Sequence, residues 1–339
     1  MTTDLLHNRY RIERELGWGG FATTYLATDL DTQQTCVVKE LSIRKVRDWK
    51  SVELFEREAK ILKNLNHSRI PAYFDHFTIE TERDYNFYLV EAYVEGKTLA
   101  EWVESGRHFT EAEVIEIAWR ITETLEYLHG FSPPIIHRDL KPTNIILNAA
   151  GEVFLIDFGA VRDTLTIAGG STMVGTFGYM PPEQLDGLAV PASDLYALGT
   201  LLIYLLSHKE PSKMEKRRLQ LYFQPHVRVS PALEQVLLHL IKPDWRSRYA
   251  SATDLKRDLH RLQQNELPQV MTTAALDTER YAQRKWLVFG SVMAASGVAW
   301  VVLLATLLPQ LPFYITYAPI LGVIGLLMLF IVLIIGGSS

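Results

Sequence analysis

The chain has 339 residues and a formal charge of −5, long enough for one large or two small domains. That balance argues against nucleic acid as the main partner, because a phosphate backbone calls for a basic face. A single cysteine, Cys36, excludes an intrachain disulfide framework and fits a reducing compartment. The charges are unevenly placed, since no Asp, Glu, Lys, Arg or His occurs from Trp286 to Ser339. The opening residues lack the apolar core of a signal peptide, so the expectation is a soluble domain followed by a membrane segment.

Tyr10–Leu16 reads as a strand and leads into Gly17-Trp18-Gly19-Gly20-Phe21-Ala22-Thr23-Thr24. Glycines let backbone N–H groups approach phosphate oxygens with no Cβ in the way. Gly-x-Gly alone is a weak signal. Strands on both sides suit a hairpin folded over phosphates rather than a strand-to-helix dinucleotide motif. Thr35–Lys39 is a second β-rich run ending in a cation, with Cys36 as a small apolar group. In Ser51–Leu65, the spacing of Phe55, Ala59, Leu62 and Leu65 predicts a helix with one inward face. Glu58 lies on that face, where an acid calls for a cation, whereas Glu53 and Glu56 fall off it and are expected in solvent. Asn86–Val94 reads as a further strand leading to a hinge.

Glu111–His129 carries Val114, Ile117, Ala118, Ile121, Leu125 and Leu128 on one stripe, with Thr110 and Glu113 forming a capping box. Pro133-Pro134 forbid its continuation. Next comes Ile136-His137-Arg138-Asp139-Leu140-Lys141-Pro142-Thr143-Asn144, and thirteen residues after Asn144 stands Asp157-Phe158-Gly159. Phosphoryl transfer needs a carboxylate on the attacking hydroxyl, a cation on the moving phosphate and oxygen ligands for a metal. One loop offers Asp139, Lys141 and Asn144, and the other offers Asp157. Asn144 precedes the apolar run Ile145–Leu147 and Asp157 follows Val153–Ile156, so each ligand sits beside a rigid strand.

These motifs match the catalytic and magnesium loops of protein kinases, and residues 10–262 resemble a bacterial serine/threonine kinase of the eukaryotic-like type. The resemblance implies an α+β, bilobal protein-kinase fold, with a β-rich N-lobe over about 10–92 and an α-rich C-lobe over about 95–262. It implies ATP with Mg2+ or Mn2+ as cofactors, and proteins bearing Ser or Thr as substrates. Asp139 would orient the hydroxyl and accept its proton, Lys141 would neutralise the phosphate, and Asn144 with Asp157 would hold the metal. Lys39 would contact the α- and β-phosphates and pair with Glu58. Leu16, Gly17, Gly19 and Gly20 would line the nucleotide, together with Phe21, Ala22, Thr24 and Val94. Lys141 and Thr176 match the serine/threonine branch.

The chain departs from the family pattern at Ala22, Thr24, Pro181 and Glu91. Glu91 stands behind the adenine pocket, where an apolar residue is usual. Either it pairs with a nearby cation, or the register is displaced by one. The hydroxyl-rich stretch Asp163–Thr172 is accounted for by a plain surface loop. As an activation loop it would carry Thr164, Thr166, Ser171 and Thr172 as phosphate sites, with Arg138 receiving the phosphate of Thr172. The resemblance also implies a Glu183–Arg248 pair, and Asp194 as the anchor of the catalytic loop.

Gln263–Lys285 reads as a polar cytoplasmic linker. Trp286–Leu308 and Phe313–Ile335 each run 23 residues without charge, about 34 Å as a helix, so each predicts a transmembrane helix. Pro309-Gln310-Leu311-Pro312 makes them a hairpin. Arg280, Arg284 and Lys285 place the kinase region and both termini on the cytoplasmic side of the inner membrane. A homodimer phosphorylating in trans is a further expectation. The rival functions are a membrane-anchored pseudokinase that scaffolds around bound ATP, and a membrane hairpin whose activity the kinase merely regulates.

Overall fold

The computed structural model describes residues 5–19, 22–42, 50–80, 85–158, 162–163 and 176–264. The chain divides into two units, residues 1–270 and 271–339, and the described residues all belong to the first. The linker beyond Gln264 and the expected spans 286–308 and 313–335 lie outside the described residues. Among those described, no helix is long and apolar enough to cross a membrane.

Strands β1 (Leu5–Leu6), β2 (Tyr10–Gly19), β3 (Ala22–Asp29) and β4 (Gln34–Ser42) come first, then helix α1 (Lys50–Leu62), β5 (Tyr73–Glu80) and β6 (Tyr85–Ala92). The six strands form one antiparallel sheet in the order β1-β2-β3-β4-β6-β5. Side chains alternate between its faces. Tyr10, Ala27, Cys36, Val38, Tyr88 and Val90 close one face. Leu41, Phe87 and Leu89 of the other join Val52, Phe55, Ala59 and Leu62 of α1 in the larger core. The register pairs Val37 with Glu91 and Lys39 with Leu89, which puts Lys39 and Glu91 on this second face. The helical stripe predicted for α1 is buried, with Leu65 in a turn just past its end.

The helical part begins with β7 (Lys97–Thr98), α2 (Leu99–Glu104) and α3 (Glu111–His129), followed by β8 (Ile135–Ile136), β9 (Ile145–Leu147), β10 (Val153–Leu155) and β11 (Arg162–Asp163). Then come α4 (Pro182–Leu185), α5 (Pro191–Ser207), the short pair β12 (Lys216–Arg217) and β13 (Gln220–Leu221), α6 (Pro231–Leu240) and α7 (Ala252–Gln263). The α3 boundaries follow from its sequence. Thr110 accepts from the Glu113 amide, and the Glu113 carboxylate accepts from the Thr110 amide. Every residue of α5 from Ala192 to Leu205 is buried, so this helix is a pillar enclosed on all sides. Gly199 lets α6 close on it, because a Cβ there would lie 2.7 Å from Leu240 Cβ and 2.9 Å from Ile241 Cγ2. The last helix, α7, docks on α3 through Lys256 and Thr253, which meet the Glu126 carboxylate at 2.8 and 2.7 Å. It continues through Gln263, one residue into the stretch expected as linker.

Candidate active site

Two short strands position the two expected metal ligands. β9 and β10 pair antiparallel from Leu147↔Val153 to Ile145↔Leu155, and the Ile156 amide donates to the Asn144 carbonyl at 2.9 Å. The ends bearing Asn144 and Asp157 are thereby tied side by side. Arg138 and Asp157 both hold φ near +68°, a left-handed backbone that costs energy outside glycine and aims their side chains off the strand path.

Around Asp139 a closed set of charge-assisted bonds forms. Lys141 Nζ stands 2.6 Å from Asp139 Oδ2, and the Thr176 hydroxyl donates to Asp139 Oδ1 at 3.0 Å. The same hydroxyl accepts from Lys141 Nζ at 3.0 Å. Asn144 Nδ2 donates to the Asp139 carbonyl at 2.9 Å and to Oδ2 at 3.2 Å. The amide nitrogen of Asn144 is committed, so its oxygen points the other way, where the Thr143 hydroxyl lies at 3.3 Å. That oxygen is of the hard donor type that Mg2+ or Mn2+ prefers, on the residue that precedes β9.

The loop is positioned from below. Asp194 on α5 is fully buried and accepts from the backbone amides of His137 and Arg138, both at 2.9 Å, and stands 2.9 Å from His129 Nε2. Gln184 of α4 donates to the Arg138 carbonyl at 2.8 Å. Burial holds the His137 imidazole below its ordinary pKa, and the ring packs edge-on against Phe158. Further down, Arg248 grips Glu183 with two bonds of 2.7 and 2.8 Å and spends its remaining donors on the carbonyls of Ala192, Lys242 and Pro243.

Lys39 is the second charged centre. Its ammonium lies 2.7 Å from Glu58 Oε1 and 3.2 Å from Glu91 Oε1, with all three side chains at most 12% exposed. The displaced-register alternative for Glu91 is thus set aside. The sequence left this pairing unassigned, and the only signal was an acid closing the apolar run Phe87–Val90. Glu58 also accepts from the Phe158 amide at 3.3 Å, which links α1 to the loop of Asp157. Burial pushes the Glu58 carboxyl up to about 7; Lys39 opposes this, and the charges of Asp157 and Glu91 add to it. Burial pulls the Lys39 ammonium down, but Glu58, Glu91 and Asp157 more than reverse that and hold it above its ordinary range. One lysine therefore faces three acids. A cluster of this sign is the kind of setting that suits a divalent cation.

The glycine loop is a hairpin, with Gly17↔Thr24 and Gly19↔Ala22 in register, and Thr24 lies beside Lys39 on β4. A Cβ on Gly17 would meet nothing within 4 Å among the described residues, so no packing among them calls for glycine there. Leu16 is exposed, while Ala22 and Val94 are half-buried. Gly20, Phe21 and the expected phosphate sites Thr164, Thr166, Ser171 and Thr172 lie outside the described residues.

Comparison with known proteins agrees with this geometry. The protein kinase domain family matches residues 10–269. Serine/threonine-protein kinase PknA of Nostoc sp. is 38% identical, over 74% of this chain and 47% of its own length. Serine/threonine-protein kinase D of Synechocystis sp. is 37% identical over 75% and 52%, and PrkC of Bacillus subtilis 31% over 75% and 40%. The matched region thus spans about half the length of these relatives, or less. The chain belongs to the protein kinase family, alongside bacterial serine/threonine kinases.

Proposed function

We propose that the chain transfers the γ-phosphate of ATP to serine and threonine hydroxyls of proteins, itself among them, at the cytoplasmic face of the inner membrane. The observation that carries this is the Asp139–Lys141–Thr176–Asn144 cluster, in which Asp139 Oδ1 already accepts one hydroxyl at 3.0 Å. Asn144 keeps that carboxylate in one orientation, and Lys141 sets a positive charge beside the hydroxyl it would activate. When bound, the nucleotide with Mg2+ or Mn2+ supplies the phosphoryl group and spreads its developing charge. Asn144 and Asp157 would hold the metal, and Lys39 the phosphates. The space at Gly17, open among the described residues, and the hairpin it begins suit the nucleotide's phosphates. The protein-kinase names of the relatives support protein hydroxyls as acceptors.

The membrane reading rests on the two uncharged stretches of 23 residues and the basic residues that precede them. Those stretches anchor the kinase as a hairpin, and two copies meet in the membrane to phosphorylate each other. Autophosphorylation that does not vary with protein concentration would refute the dimer.

The test uses the 339-residue chain in lipid with labelled ATP and Mg2+, beside D139N. Label on phosphoserine or phosphothreonine, absent in D139N, is the expected result. Nucleotide binding with no label in either form overturns the transfer reading and leaves an ATP-binding scaffold.

A further inference from the structure

Glu91 has no part in the transfer chemistry above, yet it is 4% exposed and its Oε1 lies 3.2 Å from the Lys39 ammonium. A carboxylate buried at the end of an apolar strand is unfavourable unless a cation answers it. Lys39 answers it, and answers Glu58 at 2.7 Å as well. The two acids reach the same ammonium from different elements. Glu58 comes from α1, which packs on the sheet through side chains such as Phe55, Ala59 and Leu62. Glu91 comes from β6, whose register with β4 runs without a break from Cys36↔Ala92 to Ser42↔Asn86. Backbone hydrogen bonds therefore fix Glu91 relative to Lys39 wherever α1 sits. Glu58 accepts a hydrogen bond from the ammonium at 2.7 Å, and Glu91 adds an ion pair at 3.2 Å.

We propose that Glu91 is a second positioning carboxylate for Lys39, which keeps the ammonium in the nucleotide site when Glu58 is withdrawn. The α1 contact is then one of two supports for the lysine rather than its sole support. Glu91 acts through Lys39 and touches no reacting atom. The inference rests on the kinase reading for the nature of the ligand, but its test does not need phosphoryl transfer.

The experiment is a double-mutant cycle on the full chain in detergent, with E58Q, E91Q and E58Q/E91Q. The first readout is affinity for a fluorescent ADP in the presence of Mg2+. Each single variant is expected to weaken binding only a few-fold, and the double variant about tenfold beyond the product of the two, as for residues sharing one partner. In the transfer assay the same coupling falls on the KM for ATP, while the KM for a protein acceptor stays constant. A merely structural role would not make that split. E91M, of similar volume and without charge, serves in place of E91Q if thermal melting shows the latter unfolded. A double variant within twofold of the product overturns the proposal. So does an E91Q defect that is the same size with or without Glu58. If the cycle is coupled but the wild type incorporates no label, the transfer reading fails and the role of Glu91 stands.

Discussion

Removing the charge of Glu183 should destabilise the domain more than any comparable surface change. Arg248 is buried, and its five N–H groups meet two carboxylate oxygens and three carbonyls at 2.7–3.0 Å. In E183Q the side chain keeps its shape, but an NH2 faces a guanidinium N–H and the buried cation loses its counter-charge. Ser193, which donates to Glu183 Oε1 at 2.8 Å, keeps an acceptor only if the amide turns its oxygen that way. Breaking one partner of a buried pair costs about 3–5 kcal/mol. For a domain of this size that lowers the thermal midpoint by roughly 6–20 °C. Calorimetry of E183Q measures it. R248K is the control, because it keeps the charge while losing the fork, and should lie between wild type and E183Q. A shift under about 3 °C for E183Q would refute the argument, since it would mean water reaches the pair.

Thr176→Val should lower kcat by about tenfold or more at unchanged KM for ATP, as expected for one lost hydrogen bond to a charged group; equal loss in both constants contradicts the assigned position. Asp29 receives two bonds of 2.8 Å from Arg9, and with those of Thr32 and the Asp31 amide they hold its carboxyl well below the carboxylate range. That stabilisation is complete above the unfolded value near 3.8 and is lost as pH falls towards the depressed folded value. D29N should therefore cost about 2 kcal/mol at pH 7, and denaturant titrations should show the gap from wild type closing below pH 4. G199A forces a methyl into Leu240 and Ile241 and should cost about 1–3 kcal/mol by the same titration, without changing the KM for ATP.

Features written in consecutive residues were legible before the fold was seen. The limits of α3 follow from Thr110, Glu113 and the prolines after Gly130, because a capping box and a helix breaker act locally. The members of the Asp139 cluster could likewise be named, since Asp139, Lys141 and Asn144 share one loop. Partnerships across the sheet were not legible. Glu91 meets Lys39 because Val37 pairs with Glu91, and a register of that kind is set by how two strands align. The same holds for Gly199, whose need for a missing side chain comes from α6, about forty residues further on. That Thr176 bridges Asp139 and Lys141 also required the fold, although the residue itself had been singled out for its branch of the family.

Asp194 holds the catalytic loop through the amide nitrogens of His137 and Arg138, not through their side chains. Every residue but proline offers the same donor. The path of the loop is thus insulated from sequence drift within it, and side chains there can change under selection for chemistry without moving the chain that carries them. The burden of invariance passes to one buried carboxylate, Asp194 in the first turn of α5.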